Sequence, residues 1–233
     1  MNGFANEAFA AATERAASKM QELAIALETG AAGGLSGAMV LTESPNLRDT
    51  VRDSLRPEFA DDVCPFEKTF KLPHWTVGKL GGVDVLVRGP SSDTYRYMAE
   101  LKWARETKEL GWTLWDLYKM VSATFRRDTE ACYLVVGAPQ ATWQSGKHFS
   151  AAFSTNLWDS QQLFIDYEAD WRRLLKGGTA RPTKVPSRVA TTLVADAAIV
   201  TPTDKWSLRC LAVGPASTDW LMFDGNWPMG QPR

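Results

Sequence analysis

Charged side chains interrupt two apolar runs that otherwise read as β-strands, and this conflict limits the folds open to the chain. The run Val83-Asp-Val-Leu-Val-Arg88 carries Asp84, and Tyr97-Met-Ala-Glu-Leu-Lys-Trp103 carries Glu100 and Lys102. Successive side chains on a strand point to opposite faces, so Glu100 and Lys102 share one face while Leu101 and Trp103 share the other. At about 3.3 Å rise per residue, the two charged groups leave the backbone about 6–7 Å apart. A charge inside an apolar strand is costly unless it is paired or bound to a metal. Two carboxylates with an amine suit a divalent cation held beside an ammonium group. A cross-strand ion-pair set on a half-exposed sheet face answers the same cost.

The pattern on either side of these runs supplies helices. Residues 5–28 repeat Phe9, Ala16, Met20, Leu23 and Leu27 at helical spacing, and Gly30-Ala-Ala-Gly-Gly34 ends that helix. A second helix is expected through about Phe59, with Ser44 as N-cap and Pro45 at its first position. Phe66–Leu72 alternates as a first strand, Val83–Arg88 forms a second and Tyr95–Trp103 a third, with the turn-rich Gly89–Asp93 between the last two. Thr113–Phe125 reads as a helix with Leu114, Leu117, Met120 and Val121 on one stripe. Ala131–Val136 is continuously apolar, as in a strand covered on both faces. A helix over Leu157–Leu175 and strands at Val189–Val200 and Trp206–Val213 follow, then a tail at Asn226–Arg233.

This order implies an α/β fold, a central mixed β-sheet flanked by helices. At 233 residues the chain suits a single domain. It divides into an N-terminal helical region at 1–42, a core at 43–138, a C-terminal helix and strands at 139–225, and the tail at 226–233. No apolar run approaches the about eighteen residues a membrane span needs, and the N-terminus lacks the basic start and apolar block of a secretory signal. Cys64, Cys132 and Cys210 are odd in number and widely spaced, which argues against a disulfide framework or zinc site and favours a reducing cytoplasm.

The net charge of −1 argues against indiscriminate nucleic-acid binding. The charge is nevertheless uneven. Arg172, Arg173, Lys176, Arg181, Lys184 and Arg188 fall within 171–188 with no acidic residue among them, a cluster able to follow a phosphate backbone or to remain a solvated connection. His74 and His148 are the only histidines, neither near a nucleophile elbow, so triad hydrolysis is not expected. Gly30–Gly37 lacks the lysine and preceding strand of a phosphate loop.

An acidic strand residue, Glu-x-Lys on the next strand, a following helix and then a buried strand together resemble the PD-(D/E)XK nuclease superfamily. Restriction endonucleases and many repair and phage-defence nucleases share that core. The matching residues are Asp84, Glu100 and Lys102, with Val83 where the motif's name has proline, and the resemblance spans residues 43–138. A second Glu-x-Lys, Glu106-Thr-Lys108, is expected in a polar loop ahead of the helix, and Asp93 in a turn.

The resemblance implies a restriction-endonuclease-like fold and Mg²⁺ (or Mn²⁺) held by Asp84, Glu100 and the backbone carbonyl of Leu101. It implies that Lys102 activates or orients the attacking water, and that DNA is the substrate, with RNA also open. A lysine beside a metal is expected to have its pKa pushed down toward a proton-accepting form. Auxiliary residues in this superfamily come from the helix before the first strand, here Glu43, and from the helix after the Glu-x-Lys strand. The latter offers Asp116 and Lys119 within Trp115-Asp-Leu-Tyr-Lys119. A homodimer or a partner subunit would let such a small domain cut both strands. Two other readings stand beside this one: the same fold without turnover, binding nucleic acid or serving as a scaffold, and a protein-interaction domain whose tryptophans form the contact surface.

Overall fold

Alanine occupies much of the buried face of the first helix, and its small side chain lets that helix lie close against a sheet. Ala5, Ala12, Ala16, Ala17 and Ala24 are buried along it, with Phe9 and Met20 as the larger anchors. The structure, a computed structural model, describes residues 3–30, 36–64, 68–70, 75–77, 81–89, 94–124, 129–144, 163–165, 181–182, 184–186, 189–214 and 220–222.

In chain order the helices and strands are α1 (Gly3–Gly30), α2 (Gly37–Val40), α3 (Arg48–Phe59), β1 (Lys68–Phe70), β2 (Trp75–Val77), β3 (Gly81–Val83), β4 (Val85–Arg88) and β5 (Tyr95–Trp103). They continue as α4 (Thr107–Ala123), β6 (Ala131–Pro139), α5 (Gln140–Gln144), β7 (Leu163–Ile165), β8 (Arg181–Pro182), β9 (Lys184–Pro186), β10 (Val189–Val200), β11 (Lys205–Val213) and β12 (Trp220–Met222). Six strands form the main sheet in the order β4-β5-β6-β11-β10-β7. Only β5 and β6 run parallel within it, joined through α4, and the other pairs are antiparallel. The protein is therefore α/β, with a mixed sheet flanked by helices.

The two faces of the sheet differ in what covers them. Val85, Val87, Tyr97, Ala99, Leu101, Trp103, Tyr133, Val135, Leu208 and Cys210 form one apolar core with the buried residues of α1 and α3. The Phe9 ring stacks on Tyr133 with centroids 3.8 Å apart, and Trp103 stacks on Trp206 at 4.6 Å. The Trp103 indole N–H donates to the Ala38 carbonyl at 3.0 Å, so this large ring leaves no buried donor unmet. Cys64, Cys132 and Cys210 are free thiols, all buried. Burial pushes the Cys210 thiol up to about 12, and Thr13 offsets only part of that shift.

Several expected boundaries move. Tyr95–Trp103 and Val189–Val200 are strands with the expected limits. The segment expected to be helical over 157–175 contains β7 at Leu163–Ile165, which pairs antiparallel with Val189–Thr191. Pairing to a long strand of the sheet outweighs a local helical pattern, because strand stability comes from cross-strand neighbours. Ser44 is the one non-helical residue within Glu43–Leu47, extended (φ −126°, ψ 127°) as an N-cap and a residue before proline both tend to be, and regular α3 runs from Arg48. Before it, the Asn46 side chain accepts the Thr42 N–H at 2.9 Å. The helix after β5 starts at Thr107, earlier than Thr113, so Glu106 immediately precedes it and Lys108 lies in its first turn rather than in a loop. No described helix is long and apolar enough to cross a membrane.

Candidate active site

The strand break at Asp84 sets the geometry of the polar cluster. β3 pairs with β1 and β4 pairs with β5, so the chain leaves one ladder for another at the single residue between them. Asp84 is that residue, not a member of one continuous strand from Val83 to Arg88. The β4–β5 ladder runs only as far as Val85–Ala99, which leaves the next stretch of β5 without a β4 partner. Asp84 Oδ2 fills part of the gap by accepting the Leu101 N–H at 3.1 Å. The N–H and C=O of a strand residue leave on the same side, so the Leu101 carbonyl is directed to this same edge.

Glu100 and Lys102 point to the sheet face opposite the α1 core, as alternation requires, and α4 lies over that face. Helix spacing brings Asp116 and Lys119 together on the sheet-facing side of α4. Lys119 Nζ is 2.7 Å from Glu100 Oε2 and 3.1 Å from Asp116 Oδ1, and it donates to the Gly82 carbonyl at 3.4 Å. Lys102 Nζ is 2.8 Å from Glu43 Oε2, carried by the turn ahead of α3, and 3.3 Å from Asp116 Oδ2. The Lys102–Asp116 contact is an ion pair without hydrogen-bond alignment. Four carboxylates and two ammonium groups thus converge from β5, the β3–β4 break, α4 and the turn before α3.

This face is not a half-exposed sheet surface. The Glu100 side chain is 3% exposed and that of Asp116 8%, while Lys102 at 17% and Glu43 at 35% form the wetter rim. Burial raises the Glu100 carboxyl well above its ordinary range, and Asp84 and Asp116 add to the rise while Lys119 opposes it. Burial likewise raises Glu43, against the pull of Lys102. Burial alone would lower both lysines, but Asp116 and Glu43 hold Lys102 above its ordinary value, and Glu100 with Asp116 do the same for Lys119. With two carboxylates against it, the protein's own contacts favour the ammonium form of Lys102, and the lowering expected beside a metal would act against them.

A stability prediction follows from the raised Glu100. The folded state keeps this proton to higher pH than the unfolded chain does. The stabilisation is fully present below the ordinary carboxyl range and is lost as pH rises through the raised folded value. Metal-free protein is expected to lose melting temperature as pH climbs from the acid range toward neutrality, and Glu100→Gln to flatten that slope. Thermal unfolding in chelator across a pH series checks it; parallel slopes for parent and variant would refute it.

Arg52 is a participant that sequence inspection overlooks. It is 3% exposed on α3 and donates to the Asp84 backbone carbonyl, pinning the strand break from the opposite side. Its signal is a basic residue set between Val51 and Leu55 on the buried side of an amphipathic helix. The structure thus brings together Asp84, Glu100, Lys102, Glu43, Asp116 and Lys119. It places Glu106 on the exposed approach to α4. Arg181 and Lys184 lie on β8 and β9, in two separate two-stranded ladders, with only their backbone described. Arg172, Arg173, Lys176, Arg188, His74, Asp93, His148 and the 226–233 tail lie outside the described residues, as does the Trp115 side chain.

The donor chemistry suits a hard divalent cation: carboxylate oxygens with a backbone carbonyl. Glu100 Oε1 is buried and has no hydrogen-bond partner among the described residues, which is the cost a bound cation would remove. Among the described residues, no three Asp, Glu, His or Cys side chains close into a metal cage on their own. A site here would draw on two carboxylates, the Leu101 carbonyl and solvent or substrate oxygens. No family model matches the chain, and neither a curated protein nor a solved structure matches it.

Proposed function

We propose that this protein is a Mg²⁺-dependent nuclease that hydrolyses phosphodiester bonds of DNA, built on a restriction-endonuclease-like core. The observation carrying this reading is the convergence of Asp84, Glu100, the Leu101 backbone and Lys102 at the point where the β4–β5 ladder ends. The connection β5-α4-β6, with β5 and β6 parallel and the helix over the charged face, supports the same core.

Asp84, Glu100 and the Leu101 carbonyl would hold the cation. When bound, Mg²⁺ supplies Lewis-acid polarisation of a phosphoryl group and a more acidic water. Lys102 donates to Glu43 and is only ion-paired with Asp116, which leaves ammonium N–H capacity unassigned among the described residues, at the wetter rim of the cluster. An N–H so placed can orient the attacking water or steady charge on a phosphoryl oxygen. With Glu43 and Asp116 favouring its charged form, Lys102 is assigned the role of charge stabiliser.

Incubation of the full chain with plasmid DNA tests the proposal. Cleavage is expected with Mg²⁺ or Mn²⁺, to stop in chelator, and to be lost in Asp84→Ala that retains its circular dichroism spectrum. A folded Asp84→Ala that cuts as fast as the parent would falsify it. Salt-sensitive DNA binding without metal-dependent cleavage would instead favour the same fold acting as a binding or scaffold domain.

A further inference from the structure

The proposed site contains a second lysine whose contacts differ in kind from those of Lys102. An ammonium group has three protons to donate. All three of Lys119 have acceptors: Glu100 Oε2, Asp116 Oδ1 and the Gly82 carbonyl. It therefore has no proton left for a substrate, and its side chain is buried between helix and sheet at 13% exposure. It is a positioning residue.

Its position determines which carboxylate oxygens remain. Lys119 takes Glu100 Oε2, which turns Oε1 away as the buried oxygen without a partner. Asp116 has one oxygen against Lys119 and the other near Lys102, so it cannot bridge two metal ions without displacing a lysine. Asp84 Oδ2 is bound to the Leu101 N–H.

We infer that Lys119 stands where a second cation would sit, so that this site takes one divalent ion per chain, on the Glu100 Oε1 side. The inference rests on the metal-site reading above. Charge balance argues the same way. With all four carboxylates ionised, as metal ligation requires of Glu100, the six converging side chains carry two more negative than positive charges, and buried charge must be compensated. One divalent ion neutralises them. A second divalent ion would leave a strong positive excess in a largely buried space.

The test is calorimetric titration of Mn²⁺ into the metal-stripped full chain, with free Mn²⁺ counted by electron paramagnetic resonance. The parent and Lys119→Arg are expected to bind one Mn²⁺ per chain. Lys119→Met frees Glu100 Oε2, Asp116 Oδ1 and the Gly82 carbonyl, and is expected to bind two. Should Lys119→Met lose its circular dichroism signal, Lys119→Gln carries the same expectation. Two ions or none in the parent, or one ion in the folded neutral variant, overturns the inference. Mn²⁺ bound one per chain without DNA cleavage sinks the nuclease reading and leaves this inference standing, whereas cleavage with two ions per chain does the reverse.

Discussion

Lys102→Met is expected to fold and to lose metal-dependent DNA cleavage by about 10²- to 10⁴-fold, the range a positioned proton-handling or charge-stabilising group contributes. Lys102→Arg is the informative companion. Glu43 and Asp116 hold Lys102 as a cation. If its work is charge stabilisation, arginine retains the charge and recovers part of the rate, although its planar fork cannot reproduce the same contacts. If the lysine had to give up its proton, arginine would be as inactive as methionine. Single-turnover cleavage of one labelled duplex by the three proteins, with thermal unfolding recorded for each, measures this. Equal rates in parent and Lys102→Met would remove Lys102 from the chemistry. Equal inactivity of the arginine and methionine variants would return the base role to it.

The largest effect on stability is expected on the other face of the same strand. Trp103 pairs with Gly137 across the parallel β5–β6 ladder, and the Trp103 ring lies over the glycine. A Cβ added at Gly137 would run into the Trp103 ring carbons, with Leu208 close behind. That ring cannot retreat easily, because it stacks on Trp206 and its N–H is held by Ala38. Overpacking of this kind costs about 1–3 kcal/mol, so Gly137→Ala is expected to lower the melting temperature by several degrees, and Gly137→Val by more. Trp103→Ala, which empties a large buried volume, is expected to cost about 3–5 kcal/mol. Because the two residues share one space, the double variant should fall short of the sum of the single losses. Urea unfolding of the four proteins tests this; an unchanged Gly137→Ala would contradict it. Since Trp103 follows Lys102 on the strand, such packing also holds the charged face in place.

Particular residues show how far the chain could be read without its fold. Alternation on Tyr95–Trp103 assigned Glu100 and Lys102 to one face and Leu101 and Trp103 to the other, because a strand's side-chain period is a local property of the backbone. The same reasoning found Val189–Val200, whose β-branched and small residues suit a strand. It failed at Leu163–Ile165, where a partner strand distant in sequence overrides the helical pattern.

The sequence by itself determined that three charges had to be reconciled with apolar strands, and which side of β5 each would occupy. Only the tertiary structure decided what meets them. Asp116 and Lys119 come from a helix laid across the sheet, Glu43 from a turn before another helix, and Arg52 from the buried side of that helix. The tertiary structure also set two carboxylates, Glu43 and Asp116, against Lys102. The charge state of a buried group depends on which opposite charges surround it and on how much water is removed, and both are set by contacts between distant segments.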